Sequence, residues 1–553
     1  MRQPLLTRCR ARSHTRRSTR LTVEALDGRR LPSGYTFEPV ASLGDPALDS
    51  AFSDYFQIGG LNNRGDVAFV SALPRPDDGS FRDAAVLARD GQFSVLALTG
   101  EPDPAGVVFG GGVLAPMSLN DRGDVAFAFN REPFGFPVEI NSGLYRDRPG
   151  EPGPTAVALP GMPAAGGGTF AGISFGPHIN ARGDIAFAGV VPTDLGPGGE
   201  IGLGVGLFEA DRTDHIRAVV RPGGVAPGGE TFDWAAYPWS NQRGDIAFMG
   251  HTLEQGPSPP PEVDIFAPSA GVYRYHAGTD QIEVVARPGD PSPDGGVFEF
   301  TFFPRLNNHD LVFAAWTSEQ PGLFGVFAES EGTVRAMVSP GDPLPGGGHF
   351  VSLAPESTVD SPIAVNGRGD VEFLAILDTD DNKDGRPDPG LYQWSNGSLG
   401  VVARTGTTLP GLGTVRLVRQ HDTAVNDRGQ IAFWARLTDR REVLLIATPA
   451  SDQPLGPGES GARGVATGYG LPSAPPAELV AATAGVPIGG SGGRSLLGGG
   501  TGTPAECDAL QSIPTPTAGA TPEPVAFGLT GDGPLGLQMC DVGLEEVTDG
   551  ITA

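Results

Sequence analysis

The densest chemistry in the chain is the run Asp378-Thr379-Asp380-Asp381-Asn382-Lys383-Asp384-Gly385-Arg386-Pro387-Asp388, which fits D-x-N-x-D-G-x-x-D. Counted from Asp380, side-chain oxygens at positions 1, 3, 5 and 9 (Asp380, Asn382, Asp384, Asp388) are spaced to surround a hard cation. Gly385 makes the sharp turn, as in calcium loops of EF-hand type. Position 12 is Leu391 instead of a bidentate acid, so Asp378, Asp381 or water would have to complete the sphere. Calcium is the expected cofactor, at an affinity suited to extracellular concentrations; the plainer alternative is a solvated acidic hairpin loop.

Other chemistry is sparser. Five Arg-Gly-Asp tripeptides, at Arg64, Arg122, Arg182, Arg243 and Arg368, suggest adhesion, but each lies inside a repeated octapeptide whose turn already demands the glycine. The tripeptide is then a by-product of the repeat, its Arg and Asp expected to pair across corners for at most about 1 kcal/mol each. Histidines 178, 215, 251, 276, 309, 349 and 421 are scattered, with no HExxH, CxxC or GxSxG, so no zinc site or triad is signalled. No catalytic and no cofactor-binding residue is assigned. Carboxylates such as Asp214, Asp233, Asp264 and Asp310 could converge on a central channel and support glycoside hydrolase or lyase chemistry, although 65 acids bring pairs together without function. Trp234, Tyr237 and Trp239 offer either a carbohydrate platform or core packing.

The elements that must position these residues are strands. Gly 83 and Pro 53 make up about a quarter of the 553 residues, which disfavours helices. A net charge of -27 argues against a nucleic-acid partner, and no run of about 18 apolar residues reads as a transmembrane segment. Residues 1–33 carry +7, from nine arginines against Glu24 and Asp27; 34–450 alternate short apolar runs with Gly, Pro, Asn and Asp clusters; 451–553 are Gly/Pro/Ala/Thr-rich and read as a flexible tail. The only cysteines are Cys9, Cys507 and Cys540, so no disulfide framework holds the body, and whether the last two pair is open.

An octapeptide N-x-x-G-x-[VI]-A-F recurs at Asn62, Asn120, Asn180, Asn241, Asn366 and Asn426, with a degenerate copy at Asn307 that has lost its glycine. The period is about 60 residues. Asn opening a type I turn and Gly at a φ > 0 position predict a tight corner, after which Val67 and Phe69 face one way and Ala68 the other. A G-[LV]-[YF] run follows at Gly143, Gly206, Gly271 and Gly390, and a G-[DEG]-x-x-P-x-G-G-x-F signature, or a relaxed form of it, follows downstream of all but the last octapeptide, giving about four strands per unit, as in a propeller blade. The last octapeptide lacks the downstream signature, while the body opens with one at Val40 to Pro46. The fold expected is an all-β, seven-bladed β-propeller closed by a split blade; an open β-solenoid is the alternative.

These octapeptides resemble those of the bacterial tandem-repeat NxxGxxAF-containing surface proteins that occur with a choice of anchors, over roughly residues 36–450. The segment Leu21 to Ser33 resembles the LxxExLExRxLxS leader of planctomycete-type bacteria, with Asp27 in place of the second Glu. The resemblance implies export or a surface location and carries no functional residues. The function expected is a non-catalytic binding or structural module; the alternative is a polysaccharide-active propeller using loop carboxylates. Its partner is expected to be an extracellular carbohydrate or protein, met by a monomer.

Overall fold

Short runs of Val, Ile, Ala and Phe, each cut by Gly, Pro or Asn before a helical turn can close, form strands throughout; no α-helix occurs among the described residues. A computed structural model describes residues 34–450 apart from 78, 133–140, 175, 194–201, 254–269, 355–360 and 420–423. The leader, the tail, the three cysteines, Asp264 and His421 lie outside the described residues. Among the described residues no helix is long and apolar enough to cross a membrane.

The strands pair as antiparallel meanders. Phe56–Leu61, Val67–Pro74, Phe81–Arg89 and Gln92–Leu98 make one sheet, and Phe298–Leu306, Asp310–Thr317, Gly325–Ser330 and Thr333–Val338 repeat it. In the stretch from Gly172 to Ala286 two such meanders are joined by a single parallel bridge, Val205 to Trp234. The final sheet takes Ile431–Leu437 and Glu442–Pro449 from the C-terminal end of the body and adds Tyr35–Ser42 from the N-terminal end, paired from Tyr35–Pro449 to Ser42–Val443 with one register shift between Pro39 and Ala41. The N-terminal contribution is thus one strand, because Phe56–Leu61 pairs with Val67–Pro74 in a different sheet.

The octapeptide strand is buried on both faces. Val67 and Phe69 join a cluster with Trp434 and Leu444, whereas Ala68 joins one with Val125 and Phe127 of the next unit. Small Ala lets neighbouring sheets approach. In the five units whose next strand sets an aromatic residue opposite the octapeptide phenylalanine, the two rings stack, for example Phe127 on Tyr145 (5.6 Å, 24°), Phe248 on Tyr273 (5.5 Å, 17°) and Phe373 on Tyr392 (5.8 Å, 19°). The preceding glycine is required by this pair, since a Cβ on Gly390 would meet the Tyr392 ring at 2.8 Å. The downstream signature closes a tight hairpin whose aspartate caps its own turn: Asp290 accepts the Arg287 N–H (2.8 Å) and Asp342 the Ser339 N–H (2.9 Å). Sheets stacked face to face in this way form a β-propeller-like arrangement.

Candidate functional site

The octapeptide corners build the site. Asn62 Oδ1 accepts the N–H of Arg64 (2.9 Å) and of Asp66 (3.0 Å), while Gly65, at φ +90°, donates its N–H to the Asn62 carbonyl. One hydrogen of the Asn62 amide goes to Asp66 (2.8 Å), and the other leaves the unit altogether, to the backbone carbonyl of Asn120. Asn120 donates in turn to Asn180, Asn180 to Asn241, Asn241 to Asn307, Asn307 to Asn366 and Asn366 to Asn426, at 2.8–3.2 Å. Asn426 donates back to the carbonyl of Asn62 at 2.9 Å. All seven asparagines are 2–5% exposed. The degenerate Asn307 keeps its link because its shortened turn still places His309 and Asp310 N–H on its Oδ1.

The tripeptides are fixed by the same corners. Asp66, Asp124 and Asp370 are buried and bind the arginine of their own tripeptide, Arg64 (2.7 Å), Arg122 (3.1 Å) and Arg368 (2.5 Å). In these three turns, and in the Arg182–Asp184 turn (2.8 Å), the ion pair is therefore internal, not across corners as the sequence suggests. What crosses is the rest of the guanidinium: Arg64 donates to the Arg122 carbonyl (3.2 Å) and occupies the space where a side chain on Gly123 would stand. A buried, paired aspartate is not presented for adhesion. Burial raises the Asp66 pKa, but hydrogen bonds from Asn62 and Arg64 and the Arg89 charge outweigh it and leave the carboxyl below its ordinary value.

Inside the ring of asparagines lies a cavity of about 180 Å³ lined by all seven units. Two residues before each asparagine, the lining positions are Gly60, Ser118, His178, Trp239, Arg305, Ala364 and Ala424. The three large ones are consecutive and stack: the His178 ring lies 3.9 Å from that of Trp239, and the Arg305 guanidinium 4.2 Å from the same ring. Two groups this near one centroid cannot share a face, so both faces of Trp239 are covered. The Ser240 N–H donates to His178 Nδ1 (3.1 Å), which leaves the ring's proton on Nε2. Burial first, and the Arg305 charge second, push the His178 pKa down to about 3, so the imidazole is neutral. At the rim, Asp121 accepts the Asn63 N–H and Nδ2 (both 2.7 Å), and Asp427 stands on the other side of Asn63 (3.4 Å).

The residues expected to converge do not meet here. Asp214 binds Arg146 (3.1 Å) and Arg148 (3.4 Å), Asp233 binds buried His251 (2.7 Å), and Asp310 begins the strand after Asn307; none of the three lines the cavity. The aromatic patch divides, Trp234 and Tyr237 packing together at 6.2 Å while Trp239 faces the cavity. Of the remaining histidines, His276 meets Glu283 (3.0 Å), His349 meets Asp378 (2.8 Å), and His215 and His309 are exposed. The cavity column was missed because its members are 61 and 66 residues apart; aligning the units on their asparagines, and reading position minus two, would have found it.

In the acidic loop Asp380 accepts the N–H of Asp384 and Gly385 (both 3.0 Å) and Asn382 that of Asp384 (2.9 Å). Asp388 is 0% exposed and turns to the Thr405 hydroxyl (2.9 Å) and the Asp381 N–H. Its pKa is raised, chiefly by burial. The two acids that could fill position 12 are engaged elsewhere, Asp378 with His349 and Asp381 with Arg404 (2.5 Å).

Stacked sheets around a polar cavity define a protein of β-propeller-like class. The chain belongs to a family of unknown function, DUF7453, whose profile matches residues 23–384 and 325–443. No curated protein matches it. Among solved structures it is similar to a puromycin-hydrolyzing peptidase of Mycobacterium tuberculosis (12% identity, TM-score 0.45, 76% of this chain and 55% of that one). It is also similar to the β-propeller domain of the trilobed protease from Pyrococcus furiosus, described as having an open velcro topology (10%, 0.39, 72% and 99%). A third is an oligogalacturonate lyase from Vibrio parahaemolyticus (13%, 0.40, 75% and 97%). The chain spans little more than half the length of the mycobacterial peptidase.

Proposed function

We propose that this protein is an exported or cell-surface seven-bladed β-propeller that acts as a non-catalytic binding or structural module. The observation that carries the reading is the circuit of seven asparagine links around one cavity, with Tyr35–Ser42 sharing a sheet with Glu442–Pro449. A circuit of identical links supports seven blades with a split last blade, and a cavity walled by a neutral histidine and a covered tryptophan supports binding over acid-base chemistry. Export, and membership among the choice-of-anchor NxxGxxAF proteins, rest on the octapeptides and the Leu21 to Ser33 leader. The test is a glycan and polysaccharide array with the full chain, reading retention and released sugars. Retention without release is expected; release of sugars would replace the module by the polysaccharide-active enzyme.

Calcium at Asp380, Asn382, Asp384 and Asp388 belongs to the same proposal. The inward-turned oxygens of Asp380 and Asn382 and the left-handed Gly385 (φ +83°) support it. The loop sits between Val371–Leu377 and Pro389–Ser395, where an ion would stiffen one hairpin. The melting temperature should rise with calcium and fall with chelator; no shift in either direction sinks the assignment.

A further inference from the structure

We infer that the central cavity takes a neutral, hydroxyl-rich small molecule of about one sugar ring, a claim that deepens the binding-module reading and rests on it. The argument starts from the asymmetry of the wall. Three consecutive inward positions are filled by the stack of His178, Trp239 and Arg305, and the others carry nothing larger than serine, so the open space of the cavity, about 180 Å³ in all, lies on the small-residue side.

Polar groups of opposite character face that space at two levels. The wall supplies donors: His178, with Nδ1 committed to the Ser240 N–H, presents Nε2–H, and the Ser118 hydroxyl, whose oxygen already accepts the Ile179 N–H (3.0 Å), has its own hydrogen to give. The rim supplies acceptors, the carboxylates of Asp121 and Asp427 on either side of Asn63. An anion entering this mouth passes two carboxylates on a chain of charge -27, and a cation ends against the Arg305 guanidinium in the wall. A neutral molecule whose hydroxyls both give and accept hydrogen bonds meets neither penalty. Because both faces of Trp239 are covered, recognition is by hydrogen bonds and fit, not by stacking on the indole.

Isothermal titration of the full-length protein tests this with D-glucose, D-galactose and N-acetyl-D-glucosamine, beside the charged probes D-glucuronate and D-glucosamine and the zwitterion glycine betaine. At least one neutral sugar should bind ten times or more tightly than every charged probe. Ala424→Leu, which fills the open side, should abolish that binding, and Ala364→Leu repeats the test from the neighbouring unit if the first variant does not fold. His178→Asn, which keeps an acceptor for the Ser240 N–H but removes the Nε2 donor, should weaken it about tenfold in protein that remains folded. Tighter binding of a charged or zwitterionic probe, or no binding by any probe, overturns the inference. Array retention that survives Ala424→Leu overturns it too while leaving the binding module standing, whereas a silent array and a silent titration remove the inference and the carbohydrate-binding reading together, leaving a structural or protein-partner module.

Discussion

Asn180 does four things with two side-chain atoms: its oxygen accepts the N–H of Arg182 (2.9 Å) and Asp184 (3.0 Å), and its nitrogen donates to Asp184 (3.4 Å) and to the carbonyl of Asn241 (3.2 Å). The first two were legible in the octapeptide, because an asparagine before a glycine turn is a local device. The last was not, because its acceptor is 61 residues away. Asn180→Ala should cost about 2–3 kcal/mol, the sum expected when several buried amide hydrogen bonds are lost at once, measured by denaturant unfolding. Asn180→Asp should keep the turn and lose the link, falling between the two. Asp147 makes an opposite prediction. Burial first, then the nearby Glu151 and Asp124 charges, opposed by Arg89, push its pKa up to about 6. A carboxyl with a raised folded pKa adds stability only while protonated, and that contribution is lost as pH rises from the unfolded value through about 6. Asp147→Asn should therefore stabilise the protein by about 1–2 kcal/mol at pH 7.5, once solvent screening at this half-buried group is allowed for, with the gain vanishing by about pH 4. A gain that stays constant down to pH 4 would contradict the assignment.

At the scale of the element, the acidic loop was legible as a turn with inward oxygens and illegible in how it is moored. Arg404 donates to the carbonyls of Gly346 (2.9 Å) and Gly347 (2.7 Å) in the neighbouring hairpin as well as to Asp381, and Thr405 holds Asp388. These partners come from another strand and another unit, and no spacing rule within the loop contains them. The chain's single lysine, Lys383, sits at the tip with φ +60°, so a lysine-specific protease can cut the chain at one bond only. Arg404→Ala should accelerate that cleavage at least fivefold, and calcium should slow it in the wild type; cleavage indifferent to calcium would argue for a plain acidic hairpin. The division of the aromatic patch has a similar cause. Trp234 and Trp239 lie on one strand, Phe232–Ser240, but a register shift between Ala236 and Trp239, with Tyr237 at φ +53°, sets them in different surroundings.

For the whole molecule, the repeat count and the displaced N-terminal signature were readable from the sequence, whereas the single-strand share of Tyr35–Ser42 in the last sheet was not. A signature marks where a hairpin lies but not which sheet its flanking strand joins. Tyr35 also anchors that strand sideways, its hydroxyl donating to Gln393 of the preceding unit (2.7 Å). Removing residues 1–42 should leave Glu442–Pro449 as an unpaired edge, lower the melting temperature and cause self-association that grows with concentration, read by light scattering on a sizing column. A monomer as stable as the parent would show that the strand is dispensable. The asparagine links carry one more consequence. Each runs head to tail, from an amide on one unit to a carbonyl on the next, so the same sentence is repeated around the circuit with no first or last word. Such a link cannot count. It would join six or eight copies as readily as seven, and it already tolerates a member without its glycine. Gene duplication or loss would be registered not at the corners but in the angle at which alanine-lined sheets pack, and in the width of the hole they leave between them.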